Sequence, residues 1–228
     1  MTSSRPQAVH IPFAGRWHFS RAERIADAVV HIVGLAFAVS AGTALLVMSF
    51  IRTGPGEFAA AVCYVIALLA VLSISLIYNQ WPVSPVKWVL RRFDHSAIYL
   101  LIAATYTPFL VQIPDPALAG FALAFVWSAA LTGMALKILL PGRYDRLAVL
   151  FYLATGWSGV ALAGPLSTAL PPATLTLIAA GGVAYTIGVV FYVWRSLRFQ
   201  TAVWHAFVVS GAALHCVAVF DCLVISRM

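Results

Sequence analysis

Long apolar runs alternate with short polar gaps along nearly the whole chain, and the runs are continuous rather than alternating residue by residue. Stretches of about 20 apolar residues are the length an α-helix needs to cross a bilayer. The pattern predicts seven of them: Ala26 to Phe50, Phe58 to Asn79, Asp94 to Ile113, Ala117 to Leu140, Leu147 to Leu166, Thr174 to Trp194 and Ala202 to Ile225. Turn-forming residues fall in the gaps: Gly54-Pro55-Gly56, Pro114-Asp115-Pro116, Pro141-Gly142 and Pro171-Pro172. Lipid offers the backbone no hydrogen-bond partners, so runs this long must be helical. The predicted fold class is therefore an all-α membrane protein, a seven-transmembrane helix bundle over residues 25–228. Residues 1–24 form an N-terminal segment without an apolar core, and so without the features of a signal peptide.

Composition sharpens this picture. Hydrophobic residues make up 62% of the chain and charged residues only 9%, far below the quarter usual in soluble domains. Most of the surface must therefore meet lipid, and membrane lipids are the expected partners. The formal charge of +7 would suit nucleic acid, but the basic residues are placed at the ends of apolar runs and not in a binding motif. Of the 14 basic residues, only Arg52 and Arg227 fall on one side of the predicted spans. The others, among them Lys87, Arg91, Arg92, Lys137, Arg143, Arg146, Arg195 and Arg198, fall in gaps on the opposite side. The positive-inside rule then puts the N-terminus in the cytoplasm and the C-terminus outside. Cys63, Cys216 and Cys222 lie inside apolar runs without metal-knuckle spacing and read as small buried residues.

That orientation gathers polar residues from distant parts of the chain into one cytoplasmic layer. Glu23, Asp27 and His31 open the first span, Ser75 and Asn79 close the second, Asp94 and His95 open the third, and Thr201 and His205 open the seventh. An acidic group within a membrane helix costs roughly 2.5–3.5 kcal/mol, so one that is kept usually faces the bundle interior with a partner. Asp94 is on this ground the first functional candidate. Asp27 and His31, four residues apart, share a helix face. They read either as a proton-sharing pair or as an interfacial pair that satisfies itself. Asp94 and His95 are adjacent and point about 100° apart, so a regular helix does not turn both on one ligand. His215 lies about 15 Å deeper than His205 and belongs with Asp221 on a separate polar line, or to an interhelical hydrogen bond.

These residues carry a resemblance to a known family. Glu23-x3-Asp27-x3-His31, Ser75-Leu76-Ile77-Tyr78-Asn79, the block Leu90 to Tyr99 with Tyr106-Thr107-Pro108, Gly156-Trp157, and Trp204-His205 with Gly211 and His215 are similar to the hemolysin III family. That family is the bacterial branch of the progestin and adiponectin receptor superfamily. The resemblance implies a seven-helix bundle of the bacterial inner membrane. It also implies a zinc site near the cytoplasmic face, with three histidines on the metal and an aspartate holding a water. Relatives are thought to be lipid amide hydrolases, and Asp94 and Ser75 would be the catalytic residues here. The match departs at two of the three ligands: Asn79 and Thr201 stand where imidazoles are expected, leaving His205 and Asp94. Neither an amide nor a threonine hydroxyl is a good zinc ligand. Weak zinc binding or none is therefore expected, with a polar cluster in its place. Three readings stay open: a lytic or lipid-interacting protein with a degenerate zinc site, a metal-dependent lipid amide hydrolase, and a proton or ion conductor.

Overall fold

In a computed structural model that describes residues 19–227, the described residues are mostly helical, with no strand among them. The helices are α1 (Arg21–Arg52), α2 (Pro55–Gln80), α3 (Pro85–Leu110), α4 (Pro116–Leu139), α5 (Asp145–Trp157), α6 (Ala163–Ala169), α7 (Pro172–Val193) and α8 (Gln200–Leu223). Most of the N-terminal segment, residues 1–18, lies outside the described residues. Start signals are local: proline occupies the first turn of α2, α3, α4 and α7, where its missing N–H has no partner to lose. Ser20, Ser84 and Asp115 cap α1, α3 and α4 through their side-chain oxygens.

Among the described residues, six segments are long and apolar enough to cross a membrane: Arg21–Arg52, Pro55–Gln80, Pro116–Leu139, Leu147–Ala169, Pro172–Val193 and Gln200–Arg227. α3 is as long as α2 but more polar, since Ser84 starts it well before the apolar run. Asp94 therefore sits about two and a half turns inside a helix, not at the helix mouth that the apolar run suggests. In packing order the helices run α7, α8, α1, α2, α3, α4, and α3 also touches α8. The core lies where α1, α2, α3 and α8 meet, around the fully buried Leu45, Tyr64, Leu68, Leu110 and Leu223.

Two further expectations are corrected. The fifth span is not one continuous α-helix but α5, a 3₁₀ stretch over Ser158–Leu162, and α6. The cause is a side chain from α3. The Tyr106 hydroxyl donates to the Gly156 carbonyl at 2.7 Å and accepts the Gly159 N–H at 2.7 Å, inserting itself into the helix ladder. A Cβ on Gly159 would come within 2.9 Å of that ring, so glycine is required at this crossing. The second correction concerns charge. Lys87, Arg91 and Lys137 do not lie in open gaps but are 4%, 8% and 4% exposed. Lys87 donates to the Asn79 and Trp81 carbonyls at the end of α2, at 3.2 and 2.8 Å, where the helix dipole favours a cation. Arg91 and Lys137 share the Asp145 carboxylate, at 2.8 and 2.9 Å.

Candidate functional site

Three helices set the site, and the close approach of two of them begins with a glycine. At Gly34 an added Cβ would meet the Val209 side chain at 2.7 Å, so α1 and α8 lie together there. One turn earlier on α1 comes His31, and another turn earlier Asp27; across the seam, one turn before Val209, comes His205. Glu23 fixes the relative height of the two helices. Its carboxylate accepts the Ser20 N–H at 2.9 Å, completing a capping box, and with its other oxygen accepts the Phe199 N–H at 3.2 Å, at the head of α8. Glu23 is thus a tether beside the cluster rather than one of its converging groups.

Asp27 and His31 are 3% and 1% exposed, and His205 is 8% exposed. The His205 Nδ1 lies 2.5 Å from Asp27 Oδ1, a link across 178 positions of sequence. The His31 Nδ1 lies 2.9 Å from the Asp27 backbone carbonyl. A carbonyl can only accept, so Nδ1 of His31 carries a proton, and in the neutral ring Nε2 then keeps its lone pair. An ionised Asp27 places the proton of His205 on Nδ1 in the same way. The two imidazole rings meet edge to face with centroids 4.3 Å apart. Asp27 Oδ2 is buried without a hydrogen-bond partner, 3.6 Å from His31 Nδ1. One donor atom from each of Asp27, His31 and His205 lies within 4.8 Å of the others.

The remaining candidates surround this trio unevenly. Asp94 lies close enough to Ser75 and His205 to interact with both, and its Oδ2 is 3.0 Å from His95 Nδ1. The adjacent pair thus meets side chain to side chain. The His95 Nδ1 is not aligned for a hydrogen bond in this contact, and the ring stands edge-on to Tyr78. Asn79 turns its amide nitrogen to the Ser75 carbonyl at 2.9 Å and to the Ser75 hydroxyl at 3.3 Å. Thr201 reaches the neighbouring Gln200 side chain, at 3.5 Å. A cavity of about 130 Å³ opens beside Asp27, Asn79 and Thr201, with Glu23, Arg24 and Arg195 also in its lining. It connects the buried carboxylate with the end of the bundle where the basic residues gather.

His215 is elsewhere, bonded through Nε2 to the Ile178 carbonyl of α7 at 3.1 Å. Asp221 lies beyond it and accepts from the Thr174 hydroxyl at 2.5 Å. The three-imidazole zinc set implied by the resemblance is not formed: the residues at two of its positions are an asparagine that donates to Ser75 and a threonine. A carboxylate and two imidazoles gathered on the α1 side offer a different donor set. Sequence reasoning named Asp27 and His31 but not their link to His205. The signal was present in their shared face and shared depth with His205, though not in any spacing.

Comparison with known proteins bears on this geometry. The family described as Haemolysin-III related matches residues 19–216, which include every residue of the cluster. The Hemolysin-3 homolog of Bacillus subtilis (strain 168) is 33% identical over 205 residues, 90% of this chain and 94% of that protein. Hemolysin-3 of Bacillus cereus is 32% identical over 192 residues, 84% of this chain and 88% of its own length. The Monocyte to macrophage differentiation factor of Homo sapiens is 30% identical over 166 residues, 70% and 68% of the two chains. Together with the apolar helices, these bacterial relatives support a multi-pass integral protein of the bacterial inner membrane. A matched region that runs from α1 into α8 and similarity over most of the length of two hemolysin-3 proteins make this chain a member of the Haemolysin-III related family.

Proposed function

We propose that this protein interacts with lipid from within the bilayer, as a hemolysin III-like protein whose zinc site has been reduced to a polar cluster. In this reading α3 is a seventh span, the N-terminus is cytoplasmic and the C-terminus is outside. The basic residues at the Asp94 end support that orientation. The observation that carries the reading is the pairing of His205 with Asp27 while Asn79 and Thr201 line the cavity above. The histidine retained from the implied zinc set is held by a carboxylate on α1, and its two companions are absent. The test is metal analysis of the purified full chain alongside dye release from phospholipid vesicles. Substoichiometric zinc, unchanged by His205→Ala, together with vesicle perturbation is the expected result.

A second reading, a metal-dependent hydrolase of a lipid amide, is favoured by one observation: Asp27 Oδ2 is buried without a partner beside two imidazoles. Asp27, His31 and His205 would then hold a divalent ion, with Asp94 and Ser75 orienting water and substrate. Carboxylate and imidazole suit zinc, and outer hydrogen bonds to Nδ1 commonly steady such ligands. Stoichiometric zinc lost on His205→Ala, with amide hydrolysis lost in parallel, would decide for this reading and against the first.

A further inference from the structure

The packing of α4 against α5 is thin, and a cleft of about 530 Å³ lies between them. Its walls are apolar almost throughout, formed by Leu136 on α4 and by Leu147, Leu150 and Phe151 on α5. Tyr99 of α3 lines it as well, lying over Gly133, where a Cβ would stand 2.5 Å from the ring. The size falls within the range of pockets that hold small molecules, roughly 300–1,000 Å³. In a bilayer an open apolar cleft of this kind is filled by acyl chain, since water gains nothing there.

One mouth of the cleft is basic. Lys137 and Arg143 line it, and Tyr144 turns the chain in a left-handed conformation (φ 59°) at the same corner. The Arg143 guanidinium lies over the Tyr144 ring, 5.6 Å from its centre, and is exposed. The single carboxylate at this corner, Asp145, is shared between Arg91 and Lys137, so the corner keeps an excess of positive charge. Basic pockets between spanning helices, at the depth of the head groups, recognise anionic lipid.

We propose that the cleft between α4 and α5 is a binding site for one anionic phospholipid, with an acyl chain along Leu136, Leu147 and Phe151 and the phosphate at the exposed Arg143. The site depends on the membrane placement of the chain but not on the reading of the Asp27 cluster. The full chain in detergent, mixed with equal amounts of dioleoylphosphatidylglycerol and dioleoylphosphatidylcholine, is read by native mass spectrometry. Retention of the glycerol lipid should exceed that of the choline lipid by about fivefold, the factor expected of one basic residue at a membrane surface. Arg143→Glu should remove the preference. Ala154→Trp, exposed on the cleft wall, should lower retention of the glycerol lipid by filling the space without altering the melting temperature. Equal retention of the two lipids by the unaltered chain, or a preference that survives both substitutions, would overturn the proposal.

Discussion

Two aspartates in this bundle each make a short contact, and they do opposite things with it. Asp221 takes one hydroxyl, from Thr174 at 2.5 Å, and ties α8 to the start of α7. Asp27 takes one imidazole, from His205 at 2.5 Å, but its second oxygen is left buried without a partner. The first arrangement is complete as a fastening between helices. The second leaves a buried acceptor without a partner between two imidazoles and the edge of a cavity, an arrangement that stability alone does not call for. The lesson is that an acidic residue in a membrane helix marks a site only when its surroundings leave something undone.

The comparison breaks most visibly at His205. Replacing it with alanine leaves the Asp27 carboxylate buried without its main partner, and loss of one member of a buried pair costs about 3–5 kcal/mol. Thermal unfolding in detergent should show that drop, and a cost under about 1 kcal/mol would place the two aspartates in one class. The fastening at the other end should cost less: Thr174→Val removes one interhelical hydrogen bond, worth about 0.6–1.7 kcal/mol in membrane proteins. A double change, Asn79→His with Thr201→His, sharpens the contrast by reinstating imidazoles over the cavity. It should raise zinc retained through dialysis well above that of the unaltered chain.

The smallest expected effect is a pH dependence at a third aspartate, which lies just before the fifth apolar segment. Burial pushes the Asp145 carboxyl up, but the Lys137 hydrogen bond and the Arg91 charge outweigh it, so its value falls below the ordinary 3.8. A carboxylate with a depressed value stabilises the fold fully above its unfolded value and loses that contribution as pH falls through the folded one. The melting-temperature gap between the unaltered chain and Asp145→Asn should therefore be constant above about pH 5 and close only in acid below about 3.8.

Six of the spans were legible because each is written locally, in an apolar run closed by proline, glycine or a capping side chain. The depth of Asp27, Ser75, Asp94 and His205 was legible too, since alternating helix direction follows from counting spans. What could not be read was anything settled by a partner far along the chain. The burial of Arg91 and Lys137 rests on Asp145, the break in the fifth span rests on Tyr106, and the choice of Asp27 over Asp94 as the partner of His205 Nδ1 rests on how closely Gly34 lets α1 approach α8. Apolar patterning also places helix ends where hydrophobicity ends, and so it missed the turns that Ser84 and Pro85 add to α3.

The phenol of Tyr106 serves as both rungs missing from another helix's ladder, giving one proton to Gly156 and taking one from Gly159. Two rods that would otherwise slide past each other are spliced at that point. A shift of α3 along its axis must drag the middle of the fifth segment with it, while α6, beyond the splice, is anchored separately by Leu166 in the core.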